Sequence, residues 1–198
     1  MAPLVPVTAR GEATRQRLLR AAEEEFAVRG FHVASVSSVT SRAGVGQGTF
    51  YLYFRTKEEI FVTLVRDIGH KLQEHMQAAL AAEPARAAQA AMQVFVDFVC
   101  ADAGLYRIVQ EAQFVDVSVF REFHERVARD FGGALATRDR HDGPAVATTE
   151  VLAWALLGIG QAMGMKSAGG GQSAVPARAS IEALVGRLLA SRSQEPTR

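Results

Sequence analysis

Ala43-Gly44-Val45-Gly46-Gln47-Gly48-Thr49-Phe50-Tyr51-Leu52-Tyr53-Phe54, closed by Arg55-Thr56-Lys57, is the stretch whose reading decides how this chain folds. It reads as a tight turn feeding a short helix dense in phosphate-binding groups. Gly44 supplies the positive φ that ends one helix, and Val45 is apolar enough to lock the corner into a core. Gly46 starts the next helix without the side-chain oxygen of a Ser or Thr N-cap, at a cost of roughly a few tenths of a kcal/mol. Gly48, in the first turn, leaves no side chain between the backbone N–H groups and a phosphate. Thr49, Tyr51, Tyr53 and Lys57 can each donate to phosphate oxygens. The pattern is a helix-turn-helix whose second helix faces DNA.

The flanking residues supply the rest of such a head. Leu18, Leu19, Ala22 and Phe26 fall at helical spacing within a first helix read from Thr14 to Phe26, with Gly30-Phe31 ending it. Ser35 caps a second helix in which Val36, Val39 and Ala43 point inward and Ser37, Ser38, Ser41 and Arg42 point out. Thr56 with Glu59 forms a capping box for a fourth helix. Its apolar face runs through Ile60, Phe61, Leu64, Val65, Ile68 and Leu72 to about Ala82, and Pro84 closes it.

From Thr14 to Phe61 the sequence resembles the TetR family of bacterial transcriptional regulators. The family pattern is an amphipathic first helix, a short second one, an Ala-Gly-Val-Ser turn, then Gly-Thr-apolar-Tyr-x-Tyr-Phe and a Lys opening a long fourth helix. Two departures are visible: Gly46 replaces the usual Ser or Thr, and Thr40 stands where the family usually has Ala. The resemblance implies that Gln47, Thr49, Tyr51, Tyr53 and Lys57 face an operator. Thr49, Tyr51 and Lys57 would hold phosphates, and Gln47 is the base-edge candidate, since its amide can pair bidentately with adenine. Gly48 belongs to the same surface, and Thr40 and Arg42 on the second helix are candidates for further phosphate or guanine contacts.

Composition agrees with this division. The 198 residues are 48% hydrophobic and contain no apolar run of membrane-spanning length. Residues 1–57 carry eight Lys or Arg against four Glu, a net +4, while the remainder carries fourteen against seventeen, a net −3. A basic head on a mildly acidic body suits docking on DNA. Residues 1–9 read as a loose arm with no apolar signal-peptide core, and the expected location is cytoplasmic. Cys100 is the only cysteine, which excludes a disulfide within the chain and fits a reducing compartment.

Past the head the pattern is helical throughout, so the fold class is all-α. A DNA-binding head over residues 10–56 carries a body for ligand binding and dimerisation over 57–198. Met92, Phe95, Val96 and Val99 mark a fifth helix, and Tyr106, Val109 and Phe114 a sixth. Phe114 to Phe120 alternates like a strand, but a lone strand would leave unpaired edges, so it reads as a helix end, a turn and a helix start. A seventh helix spans roughly Phe120 to Ala136. Residues 145–165 form one that is apolar on nearly every side, and 177–190 form the last.

The two C-terminal helices have more apolar surface than one small body can cover. Pairing them with a second copy gives a four-helix, two-fold interface through Trp154, Leu157, Gly160, Gly164, Ile181, Leu184, Val185 and Leu188. Such a homodimer presents two heads to a pseudo-palindrome with half-sites about one helical turn apart. Phe95, Phe98, Tyr106, Phe114, Phe123 and Trp154 are candidate walls of a ligand pocket, with Arg107, Gln110 and Glu111 as polar anchors, although each aromatic also suits ordinary core. That composition favours a small, mostly apolar ligand with one anionic or polar end. The family resemblance implies a repressor released when the ligand shifts the fourth helix and spreads the heads.

Other classes fit less well. The chain has no P-loop, no Gly-x-Ser-x-Gly and no paired-cysteine metal site. His70 and His75 are five apart and fall on different helix faces. No catalytic residue, cofactor or metal is therefore expected. Those absences weigh against a small helical enzyme, and a partner-binding adaptor without DNA affinity would leave the Gly48-Thr49-x-Tyr51 cluster without a purpose.

Overall fold

The computed structural model describes residues 8–101, 103–136, 145–168 and Ala183. Eight α-helices are described, α1 (Ala9–Arg29), α2 (Val36–Ala43), α3 (Gln47–Tyr53), α4 (Lys57–Ala82), α5 (Ala87–Ala101), α6 (Ala103–Val115), α7 (Val117–Ala136) and α8 (Ala145–Ala168). A single 3₁₀ turn, Pro84–Arg86, separates α4 from α5, where proline fixes the first helical position. Among the described residues no helix is long and apolar enough to cross a membrane. The expected last helix over 177–190, with Ile181, Leu184, Val185 and Leu188, lies outside the described residues.

Local chemistry accounts for the helix ends. The Thr8 side chain accepts from the Gly11 N–H and starts α1 five residues before the sequence pattern indicated. Gly30, at φ 78°, ends it. Ser35 and Ser38 form a reciprocal capping box at α2. At α4 the Glu59 N–H donates to Thr56 Oγ1, while the Glu59 carboxylate reaches back one residue further than expected, to the Arg55 N–H. The Phe114–Phe120 segment is the helix end and restart anticipated: the Asp116 carboxylate accepts from the Ser118 and Val119 N–H groups and opens α7.

The chain divides into two compact units, the first taking in residues 1–68 and 104–123, the second 69–103 and 124–198. The first thus contains α6 as well as α1, α2, α3 and the start of α4. Its core is built from Leu18, Leu19, Phe26, Phe31, Val39, Phe50, Phe54, Ile60, Phe61, Leu64 and Val65. Phe26, Phe31 and Phe61 pack as an aromatic triple with ring centroids 4.8–5.8 Å apart. Ile108, Val109 and Ala112 of α6 are buried with them.

In the second unit Leu72, Met76, Ala88, Met92, Phe95, Val99, Val127, Phe131, Leu135, Leu156 and Leu157 form the core. Here α5 packs on α8. Across α4 and α7 lies a polar seam: Arg126 Nη1 donates to Gln73 Oε1 at 3.0 Å, and Gln73 Nε2 reaches Asp130 Oδ1 at 3.4 Å.

Candidate nucleic-acid interface

The turn between α2 and α3 follows from its glycines. Gly44 takes the left-handed conformation at φ 65° and ψ 37°, which lets the Val45 N–H turn back to the Thr40 carbonyl at 3.0 Å. Gly46 is the extended N-cap of α3 and makes no side-chain cap bond, as its missing side chain dictates. No atom lies within 4 Å of where a Cβ would stand at Gly46 or Gly48. The N-terminal turn of α3 therefore presents bare backbone to the outside.

On this turn Gln47 and Gly48 are exposed, and Tyr51 is 51% exposed with Leu52 beside it. Phe50 and Phe54 anchor the opposite face in the core, with centroids 5.8 Å apart. The alternation gives a short helix one buried aromatic face and one open polar face. Thr49 and Tyr53, half-buried, line a groove of about 480 Å³ with Thr8, Arg10, Gly11, Thr14, Arg17, Gly44 and Val45.

That groove adds residues which sequence reasoning missed. Arg10, Thr14 and Arg17 fall at i, i+4 and i+7, one stripe of α1; the sequence pattern starts that helix only at Thr14 and singles out none of the three as a site residue. Two guanidiniums and four hydroxyl groups converge there with no carboxylate among the lining residues. Such a lining suits a phosphodiester.

Three of the sequence candidates are engaged elsewhere. Thr40 is only 3% exposed, and its hydroxyl donates to the Ser37 carbonyl at 3.1 Å, so it is a core position and not a DNA contact. Arg42 donates through Nε to Glu25 Oε1 and through Nη1 to Glu24 Oε2, both at 2.8 Å. Lys57 directs its ammonium inward, to the carbonyls of Phe31 at 2.8 Å and Ala34 at 2.9 Å, and stands 4.2 Å from the centroid of the Phe31 ring.

The ligand candidates divide between the two units. Phe95, Phe98 and Trp154 belong to the second, and Tyr106, Arg107, Gln110, Phe114 and Phe123 to the first. Phe114 is 75% exposed and is no pocket wall. Arg107 is nearly half exposed and pairs with Glu111 at 3.5 Å, so it is not a buried anchor. Tyr106 is buried, and desolvation pushes its phenol up to about 12 against the opposing hydrogen bond with Gln110.

Of the expected dimer residues, Trp154 is 41% exposed, whereas Leu157 is buried and Gly160 presses on the ring of Phe95. Those two residues are protomer core, a correction that follows from helix phase: Ala153, Leu156, Leu157 and Gly160 share the inward face. The outward stripe is Val151, Trp154, Ala155, Gly158 and Ala162. Gly164 lies in α8 beyond the residues whose surroundings are described. Among the described residues no cluster of His, Cys, Asp and Glu is placed to hold a metal ion.

Residues 18–64 match the family model described as bacterial regulatory proteins, tetR family. Over 71 residues the chain is 45% identical to an uncharacterized HTH-type transcriptional regulator, YdgC, of Bacillus subtilis, covering 36% of each protein. Over 103 residues it is 31% identical to the HTH-type transcriptional activator FasR of Mycolicibacterium smegmatis, covering 51% of this chain and 47% of the relative. The matched segments thus span between a third and a half of those curated relatives. The fold is similar to that of the transcriptional regulator FadR from Bacillus subtilis, solved in complex with stearoyl-CoA, with a TM-score of 0.70, 18% identity, and coverage of 86% of this chain and 96% of that one.

Proposed function

The chain belongs to the TetR family of bacterial regulatory proteins, and from that premise we propose that it is a sequence-specific transcriptional regulator, a repressor released from its operator by a small, mostly apolar ligand. The observation that carries the DNA reading is the open polar face of α3, Gln47, Gly48 and Tyr51, set beside the cationic groove of Arg10 and Arg17. Bare N-terminal backbone, hydroxyls and guanidiniums fix phosphates, which sets affinity and register. Gln47, exposed at the start of the helix, is the base-reading group.

The protein acts as a homodimer in this reading. The outward stripe of α8 is apolar or small from Val151 to Ala162, with spacings of three and four residues, and it includes the exposed Trp154. A face of that kind on a helix is covered by another helix in a bundle. Two copies related by a two-fold axis would then read two half-sites of a pseudo-palindrome.

The ligand reading draws on the composition of the body and on the solved neighbour that holds stearoyl-CoA. A fatty-acyl compound has the apolar stem that the aromatic and aliphatic helices suggest. A ligand of this kind must bind the form with mismatched heads more tightly than the DNA-competent one.

Selection of duplexes from a random pool, followed by titration at several salt concentrations, tests the whole. A pseudo-palindromic winner whose affinity falls steeply with salt, and which is released by an acyl compound, is the expected result. Recovery of no preferred duplex would overturn the DNA reading, and release by a sugar or metal ion instead would overturn the ligand.

A further inference from the structure

Both backbone polar groups of Phe31 are held by side chains from far along the chain. Its N–H donates to Glu111 Oε2 of α6 at 2.7 Å, and its carbonyl accepts from Lys57 Nζ of α4 at 2.8 Å. Arg107, one turn before Glu111, reinforces the first grip: its Nη1 donates to the Ala27 carbonyl at 3.3 Å while its Nε lies 3.5 Å from Glu111 Oε1. The last turn of α1 and the second residue beyond it are thus tied to α6 by an ion pair facing backbone groups that the helix leaves unpaired.

Gly30 makes the approach possible. Its φ of 78° already favours glycine, and a Cβ there would stand 2.6 Å from Glu111 Oε1 and 3.0 Å from Arg107 Nη2. The positive φ thus disfavours any side chain here, and a Cβ would also oblige the ends of the Glu111 and Arg107 side chains to shift.

We propose that Glu111 is a positioning residue for operator binding, acting through the Phe31 amide and never touching DNA. The corner from Gly30 to Ala34 sets the direction in which α2, and behind it α3, leaves α1. Fixing it fixes the half-site geometry that the recognition helix accepts. In sequence the segment 104–123, which carries α6 and the start of α7, is flanked on both sides by segments of the second unit, residues 69–103 and 124–198. A displacement of α6 must carry the corner with it or break the Glu111 bond. The role rests on the DNA-binding reading above.

The test uses the full chain, its selected operator, and versions of that operator with one base pair added or removed between the half-sites. Glu111→Ala should lose about tenfold in operator affinity, the scale of one charged hydrogen bond, and should discriminate less well against the altered spacings. Glu111→Gln keeps an acceptor oxygen for the Phe31 N–H and should retain most of both. Exchange of the Phe31 amide should accelerate in Glu111→Ala and not in Glu111→Gln. Gly30→Ala should weaken operator binding less in the Glu111→Ala background than in the wild type, because the closer of the two side-chain contacts it offends is gone. Unchanged affinity and spacing preference in Glu111→Ala, or equal damage in Glu111→Gln, would overturn the proposal. A wild-type chain that selects no duplex would instead mark failure of the DNA reading itself.

Discussion

The ring of Phe95 fills the space in which a side chain at position 160 would begin. A Cβ built on Gly160 would overlap the ring at Cδ1 and Cε1, and Phe95 is itself pinned edge-on against Phe131 with centroids 5.8 Å apart. Gly160 is the point at which α8 comes close to α5. Gly160→Ala should therefore destabilise the protein by about 1–3 kcal/mol, the usual cost of overpacking, despite the better helix propensity of alanine. Gly133→Ala, on α7, is the control. That site is exposed with nothing within 4 Å, so the same change should raise protomer stability by up to about 1 kcal/mol. Thermal melting of the two variants checks the contrast, and equal effects would contradict it.

Glu25 is buried beneath Arg42, and the two set part of the acid sensitivity. Burial alone would raise the Glu25 carboxyl, but hydrogen bonds from Arg42 and Ser38 and the charges of Arg29 and Arg42 together hold it below its ordinary 4.5. A carboxylate held low contributes stability above its unfolded value and loses it as pH falls through its native one. Asp130 has the opposite sign: burial raises it from 3.8 against the Gln73 and Gln77 hydrogen bonds, and its Oδ2 has no partner. Its contribution is greatest below 3.8 and is lost as pH rises through its native value. Glu25→Gln should thus destabilise at pH 7 and matter progressively less as pH falls below 4.5, whereas Asp130→Asn should stabilise at pH 7 and converge with the wild type in acid. Urea unfolding at pH 7 and at a series of acid pH values separates them.

The head was legible in the sequence because its signals are local. Gly44, Gly46, Ser35 and Thr56 act on backbone within four residues, and each ends or starts the helix its chemistry requires. What escaped depended on partners distant in sequence. Lys57 reads as a free cation beside a DNA-facing helix, and nothing local says that the Phe31 and Ala34 carbonyls would take its ammonium. Arg107 and Glu111 read as pocket anchors because their helix is apolar, yet their partners lie about eighty residues earlier. In α8 the difficulty was different. With apolar residues on every side, periodicity cannot say which stripe faces inward, so Leu157 and Gly160 were placed on the wrong one.

The outward stripe of α8 predicts where the dimer comes apart. Trp154→Glu combined with Val151→Glu puts two charges into a seam that association would desolvate, while both positions are solvent-exposed in the protomer. The double variant should keep its helicity and sediment near 21.3 kDa, against about twice that mass for the wild type at micromolar concentration. Operator affinity should collapse with it, since one head alone holds half of the phosphates. A wild type that sediments as a monomer would remove the basis for this prediction.

In the head, three substitutions should fail in three different ways. Arg17→Ala in the groove should weaken binding on every duplex alike and lower the salt slope by about one, because a phosphate contact carries no sequence information. Gln47→Ala should leave that slope alone and relax preference at one base position per half-site, by roughly 1–3 kcal/mol. Lys57→Ala strips the donor from the Phe31 and Ala34 carbonyls and the cation from the Phe31 ring. Its effect should appear first as lost stability, about 1–3 kcal/mol for carbonyls left unpaired, with the salt slope per bound protein little changed. Melting curves and salt titrations of the three variants on one operator tell the roles apart. A Lys57→Ala protein that melts like the wild type but loses a full unit of salt slope would return that lysine to the phosphate backbone and leave the Gly30–Ala34 corner to Glu111 alone.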